Sequence, residues 1–229
     1  MLEELKQEVY EANLQLYSSG LVIFTWGNVS ALSKNGLVVI KPSGIPYETM
    51  KPKDMVVVDL KGSVVEGELK PSSDLPTHIE LYKACSSIKG ICHTHSSYAT
   101  SFAQAGISIE PLGTTHADYF YGGIPCTREL NDNEIYQNYE SNTGKVIVET
   151  FKERNFNEIP ACLVKNHGVF SWSLSAKQAV KNAVIVEEIA KMNFQTLALN
   201  ANSTVLKHTV LDKHYQRKHG EKAYYGQRS

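Results

Sequence analysis

The sequence predicts an α/β fold, a single domain over residues 1–229 whose central, mostly antiparallel sheet carries helices on both faces. Three observations carry this. Short apolar runs come in pairs around the tight-turn dipeptides Asn35-Gly36 and Lys61-Gly62, which reads as hairpins. Apolar residues at helical spacing open the chain and return after residue 175. Two further apolar runs, 88–92 and 161–164, have strand length, and a histidine stands at or just past the end of each.

In chain order, Leu2, Leu5, Val9, Ala12 and Leu16 form one stripe of a first helix, and Gly20 stops it. Residues 21–25 read as a strand. Residues 29–33 and 37–41 form the first hairpin, and 55–60 and 63–66 the second. A Pro-, Ser- and Asp-rich loop covers 70–76. Residues 77–85 read as a helix, 88–93 as a strand, and 97–105 as a short helix closed by Gly106. Residues 111–128 show little periodicity. A helix follows at 143–152, then a strand at 161–165 with a continuation at 169–172. Ser175-Ala176-Lys177-Gln178 is a capping box opening a long helix. The buried stripe of that helix runs through Ala179, Val180, Ala183, Val184, Ala190 and Phe194, with Glu187 excepted. A last helix covers 210–218 and ends at Gly220.

The 229 residues are 42% hydrophobic and 21% charged, with a net charge of -1. That length buries a full core. The near-neutral balance argues against a nucleic-acid partner, which needs a basic face. No apolar run reaches the ~18 residues of a membrane span, and the charged, amphipathic start does not read as a secretory signal. Cys85, Cys92, Cys126 and Cys162 show no Cys-x-x-Cys spacing, as expected of free thiols in a reducing cytoplasm.

His93 and His95 share one face of a strand, and His167 sits in its own strand-to-turn setting. Three neutral imidazoles with an open fourth position are the pattern of a working zinc site. Asn28, Lys41, Ser43, Gly44, Ser72 and Ser73, with Gly27 beside them, come from separate turns rich in donors. Such groups suit a phosphate, although ordinary turn chemistry explains them as well. Asp74 fits either a helix N-cap or a carboxylate beside a metal. Asp118, in His116-Ala117-Asp118-Tyr119, fits either a solvated loop residue or an acid/base with a raised pKa. The tail, residues 211–227, is basic and aromatic, which fits either a packed edge or a docking segment.

These stretches together resemble the class II aldolase and adducin family, and within it the L-ribulose-5-phosphate 4-epimerases. The resembling stretches are Thr25-Trp26-Gly27-Asn28-Val29-Ser30, Lys41-Pro42-Ser43-Gly44, Lys70-Pro71-Ser72-Ser73-Asp74 and His93-Thr94-His95. They continue with Gly113-Thr114-Thr115-His116-Ala117-Asp118-Tyr119-Phe120-Tyr121-Gly122, Asp212-Lys213-His214-Tyr215 and Tyr224-Tyr225-Gly226-Gln227. Lys165-Asn166-His167-Gly168-Val169 departs from the family's pattern around the third histidine.

The resemblance implies a class II aldolase-like fold and a ring-shaped homotetramer with active sites between neighbours. It implies one divalent metal per subunit, most often zinc, held by His93, His95 and His167 with Asp74 at or near it. It implies a sugar-phosphate substrate whose phosphate meets Gly27, Asn28, Lys41, Ser43, Gly44, Ser72 and Ser73. Asp118 would be one acid/base and Tyr225, on a tail (210–229) reaching from the adjacent subunit, the other, with His214 nearby. The implied reaction inverts carbon 4 of L-ribulose 5-phosphate by cleaving and remaking the bond between carbons 3 and 4. Arabinose and ascorbate breakdown both supply that substrate. The implied alternatives are a class II aldolase, such as one for L-fuculose 1-phosphate, which carries Glu at the position of Asp74, and a non-catalytic adducin-like module. A zinc hydrolase is disfavoured, because no His-Glu-x-x-His element supplies a base.

Overall fold

The first helix forms as its stripe predicts: α1 (Leu2–Ser18) buries Val9, Ala12 and Leu16. The structure is a computed structural model that describes residues 2–225. Both predicted hairpins are present, β1 (Asn28–Leu32) with β2 (Leu37–Ile40) and β3 (Val56–Asp59) with β4 (Val64–Glu66). They are followed by α2 (Leu75–Ala84), β5 (Gly90–Thr94), α3 (Ser97–Ala105), α4 (Thr114–Ala117), α5 (Asp132–Tyr136) and α6 (Tyr139–Thr150). The chain then adds β6 (Ala161–Val164), β7 (Gly168–Ser173), α7 (Ala176–Leu199) and α8 (His208–His219).

The strands form one seven-stranded sheet in the order β4-β3-β2-β1-β5-β7-β6. Every neighbouring pair is antiparallel. Alternation of side chains separates two apolar layers. Val29, Ala31, Val39 and Val57 face α1 and the first half of α7, with Val9, Leu16, Ala179 and Val180. Val38, Ile40, Val58, Ile91 and Phe170 face α2 and α6, with Ile79, Leu81 and Ile147. The single α/β domain with helices on both faces is therefore as predicted. No helix among the described residues is long and apolar enough to cross a membrane. All four cysteines are free; Cys92 and Cys162 are buried, Cys85 and Cys126 half-buried.

Four local readings differ. Residues 21–25 form no strand: Phe24 has φ +56° and Gly27 φ +74°, and the Tyr47 hydroxyl donates to the carbonyls of Trp26 and Gly27 at 3.0 and 2.9 Å. That backbone is tied to a side chain instead of a ladder. The chain does not continue through 165–169 but reverses there, pairing Val164 with Gly168 around a turn in which Asn166 takes φ +62°. Asn is one of the few residues that tolerates that conformation. Helix α5 was not expected, although its capping box, Asn131 with Glu134, is a readable signal. In α7, Ser175 accepts from the Gln178 amide, one half of the expected box, but Phe194 is exposed, Val184 half-buried and Glu187 buried.

Candidate active site

The sheet brings the predicted residues to one end of its central strands. Asn28 on β1 stands opposite His93 on β5, and His93 opposite Phe170 on β7. The turn carrying Lys41, Ser43 and Gly44 is stitched to the one carrying Ser72 and Ser73. Ser43 N donates to Lys70 O at 2.9 Å and Ser72 N to Lys41 O at 3.0 Å. Asn28, His93, Lys41, Ser43, Gly44, Ser72 and Ser73 line one pocket of about 470 Å³, together with Gly27, Asp74, His95 and His167. Thr25, Trp26, Pro42, Tyr139 and Glu140 complete its wall. Tyr139 and Glu140 escaped the sequence analysis, because they sit on a helix whose first turn was placed too late.

The three histidines offer ligand atoms that all lie within 4.8 Å of one another. A carbonyl only accepts, so the 2.9 Å contact of His93 Nδ1 with Val169 O places the proton on Nδ1. The lone pair is then on Nε2, which stands 3.0 Å from His95 Nε2. Two nitrogens held ~2.0–2.1 Å from one tetrahedral ion would be ~3.3 Å apart, close to that spacing. Partial desolvation at the pocket wall, together with the neighbouring imidazoles, lowers His95 to about 4 and His167 to about 3. His167 Nδ1 is buried without a hydrogen-bond partner, an arrangement that costs ~1–3 kcal/mol unless something satisfies it. The donor set fits a divalent ion.

Two glycines let the backbone close around these rings. A Cβ at Gly27 would meet His93 O and Val22 Cγ1, each at 2.7 Å. One at Gly168 would meet Thr94 O at 2.6 Å and approach the His93 and His95 rings at 3.3 and 3.4 Å.

Asp74 occupies the N-cap position of α2 but makes no side-chain cap bond. Its Oδ2 accepts instead from Asn28 Nδ2 at 2.7 Å and lies 3.9 Å from His93 Nε2. Burial pushes this carboxyl up, but its electrostatic interactions with the His93, His78 and His167 rings and the Asn28 bond hold it below the usual value. The Asn28 amide nitrogen is thus committed to Asp74, and its buried Oδ1 has no partner. Lys41 is fully buried, and its Nζ donates only to carbonyls, to Ile45 O at 2.9 Å and Pro42 O at 3.4 Å. Burial lowers it to about 8. No carboxylate among the described residues forms an ion pair with it, so this buried cation has only carbonyl partners.

Asp118, His214 and Tyr225 do not line this pocket; they form a second cluster between α4 and α8. Asp118 Oδ1 meets His214 Nδ1 at 3.1 Å, and Arg217 Nη2 grips both carboxylate oxygens at 2.8 and 2.9 Å. Lys218 Nζ is 3.5 Å from Asp118 Oδ2. Arg217 and Lys218 also lie over the Tyr225 ring at 4.9 and 4.4 Å. The raised pKa considered for Asp118 is not found: burial raises it, but the bonds to His214 and Arg217 and the Lys218 charge outweigh burial, and the net shift is downward. Gly226 and Gln227, the end of the resembling tail, lie outside the described residues.

The Class II Aldolase and Adducin N-terminal domain model matches residues 7–194. Among solved structures, an L-fuculose 1-phosphate aldolase is similar at 26% identity, with a TM-score of 0.79 over 93% of this chain and 95% of that one. YgbL from Klebsiella pneumoniae shares the fold at 24% identity and TM-score 0.74, covering 92% of this chain and 97% of that one. An l-fuculose-1-phosphate aldolase from Thermus thermophilus shares it at 22% and 0.69, over 88% of this chain and 100% of that one. With the match spanning most of its length, the chain belongs to the class II aldolase and adducin family.

Proposed function

We propose that this chain is a metal-dependent L-ribulose-5-phosphate 4-epimerase, forming D-xylulose 5-phosphate by cleavage and re-addition between carbons 3 and 4. The observation that carries the reading is the shared pocket: three clustered imidazoles and a buried lysine with no ion-pair partner among the described residues face one cavity. That pairing suits a substrate with oxygens to ligate at one end and a dianion at the other. His93, His95 and His167 would hold a divalent metal, zinc in our reading, which when bound supplies Lewis-acid stabilisation of negative charge next to the broken bond. Lys41, Ser43, Gly44, Ser72 and Ser73 bind the phosphate, and Gly27 lets the backbone approach. Asn28, tied to Asp74, orients that carboxylate and offers Oδ1 to a substrate hydroxyl.

Inversion needs proton transfer at the carbon 4 oxygen on both faces of the sugar. In our reading Asp118, His214 and Tyr225 serve that need from a neighbouring subunit of a homotetramer. Their grouping around Arg217 supports delivery as one unit. Because His214 Nδ1 faces the Asp118 carboxylate, its Nε2 is the nitrogen left to exchange a proton.

The second reading is an aldolase, favoured by the 26% identity to an L-fuculose 1-phosphate aldolase. Metal-loaded protein incubated with L-ribulose 5-phosphate separates the two. Formation of D-xylulose 5-phosphate without release of free glycolaldehyde phosphate supports the epimerase. Free aldehyde, or faster cleavage of L-fuculose 1-phosphate, makes the chain an aldolase. No reaction with either substrate removes both readings.

A further inference from the structure

Glu187 is a buried acidic residue of α7 that an apolar stripe does not explain. Its carboxylate has no Lys, Arg or His partner among the described residues. Instead Oε1 accepts from Tyr98 N and Oε2 from Ala99 N, each at 2.9 Å. These are the second and third residues of α3, whose amides have no partner within their own helix. The N-cap residue Ser96 would ordinarily satisfy them, but its side chain makes no cap bond. A carboxylate at a helix N-terminus also meets the positive end of the helix dipole.

The consequence lies one residue upstream of that cap, at His95. His93 is oriented through its second ring nitrogen by Val169 O. His95 has no such bond; among the described residues its only hydrogen-bond contact is with His93 itself. Apart from ring contacts with Trp26, His93 and His167, its aim is set by its backbone, which runs between β5 and the start of α3. Sheet pairing holds the first end, and Glu187 clamps the second.

We propose that Glu187 is a positioning residue for the metal pocket, holding the start of α3 so that His95 points at the ion. The proposal rests on the metal-pocket reading above. It is tested on the full-length protein by cobalt titration, following the visible absorption bands and competition with a chelator. Orienting partners of metal ligands are typically worth 10–100-fold in affinity. Glu187→Ala should bind Co²⁺ at least ~10-fold more weakly, with altered bands. Glu187→Gln keeps one acceptor but sets an NH₂ against the other amide, and should fall between Ala and wild type. Val186→Ala, a cavity variant one residue away in the core, is the stability control and should keep wild-type affinity and bands. Wild-type affinity and bands in both Glu187 variants would overturn the proposal, as would an equal loss in Val186→Ala at matched Tm. A wild-type protein that binds no Co²⁺ would overturn the metal pocket and this role together, and so is distinguishable from failure of Glu187 alone.

Discussion

The metal pocket and the Asp118 cluster are assembled from different materials. The pocket is built by the sheet: His93 lies within β5, His167 in the β6–β7 turn, and the donor turns are joined by backbone bonds. Its His93 and His167 rings are placed by pairing that the whole core supports. The cluster is built by charged side chains between the short helix α4 and the terminal helix α8, which buries only Leu211. Ion pairs that are partly solvated hold less tightly than a sheet ladder in a core. In the proposed function, a rigid platform and a side-chain-held set of proton-transfer groups are separated in one chain and joined across two.

The largest effect is expected at the platform. His95→Asn should lose most bound metal and lower turnover on the order of 10³-fold, the upper end for one electrostatic stabiliser, while the circular dichroism stays native. Full metal content and activity would sink the ligand assignment.

The cluster should fail differently. Asp118→Asn and Tyr225→Phe should each lower epimerisation by ~10²–10³-fold, the lower part of the range of one acid/base, with metal content unchanged. Co-assembling Tyr225→Phe with His95→Asn should restore activity, since some sites then combine an intact metal set with an intact tyrosine. Verified subunit exchange without recovery would place both halves of the site in one chain.

A smaller effect is expected from the phosphate side. Lys41→Ala removes the buried cation and should raise KM roughly tenfold with little change in kcat, the pattern of lost uniform binding. A fall in kcat at constant KM would give Lys41 a chemical role.

No effect on turnover, only one on folding, is expected near α4. His116 is buried, its Nε2–H donates to Gly122 O at 2.7 Å, and burial lowers it to about 4. The unfolded chain takes up this proton near ~6.5 and the folded one only near 4, so the contribution is complete above pH 6.5 and is lost as pH falls toward 4. At ~1.4 kcal/mol per pKa unit the loss approaches about 3 kcal/mol. His116→Gln should flatten the chemical-denaturation profile between those pH values; an unchanged slope would show that His116 does not titrate there.

Read alone, the sequence determined most of the fold and every wall of the pocket that local chemistry marks. Asn35-Gly36 and Lys61-Gly62 set hairpins because few dipeptides adopt such turns, and helix and strand periods separated the two faces. The histidines, the donor turns and Asp74 were legible as residue types suited to a metal and a phosphate. Tertiary structure alone decided the rest. Residues 21–25 have strand composition, but Tyr47, distant in sequence, ties the following turn away from any ladder. Glu187 breaks an apolar stripe and is buried because its partners are amides of another helix. Asp118 carries a lowered rather than a raised pKa because α8 folds back onto it with Arg217 and Lys218. Local pattern reports which surface a residue prefers; which groups meet across ninety residues depends on how the packed elements cross, and that is settled by the core as a whole.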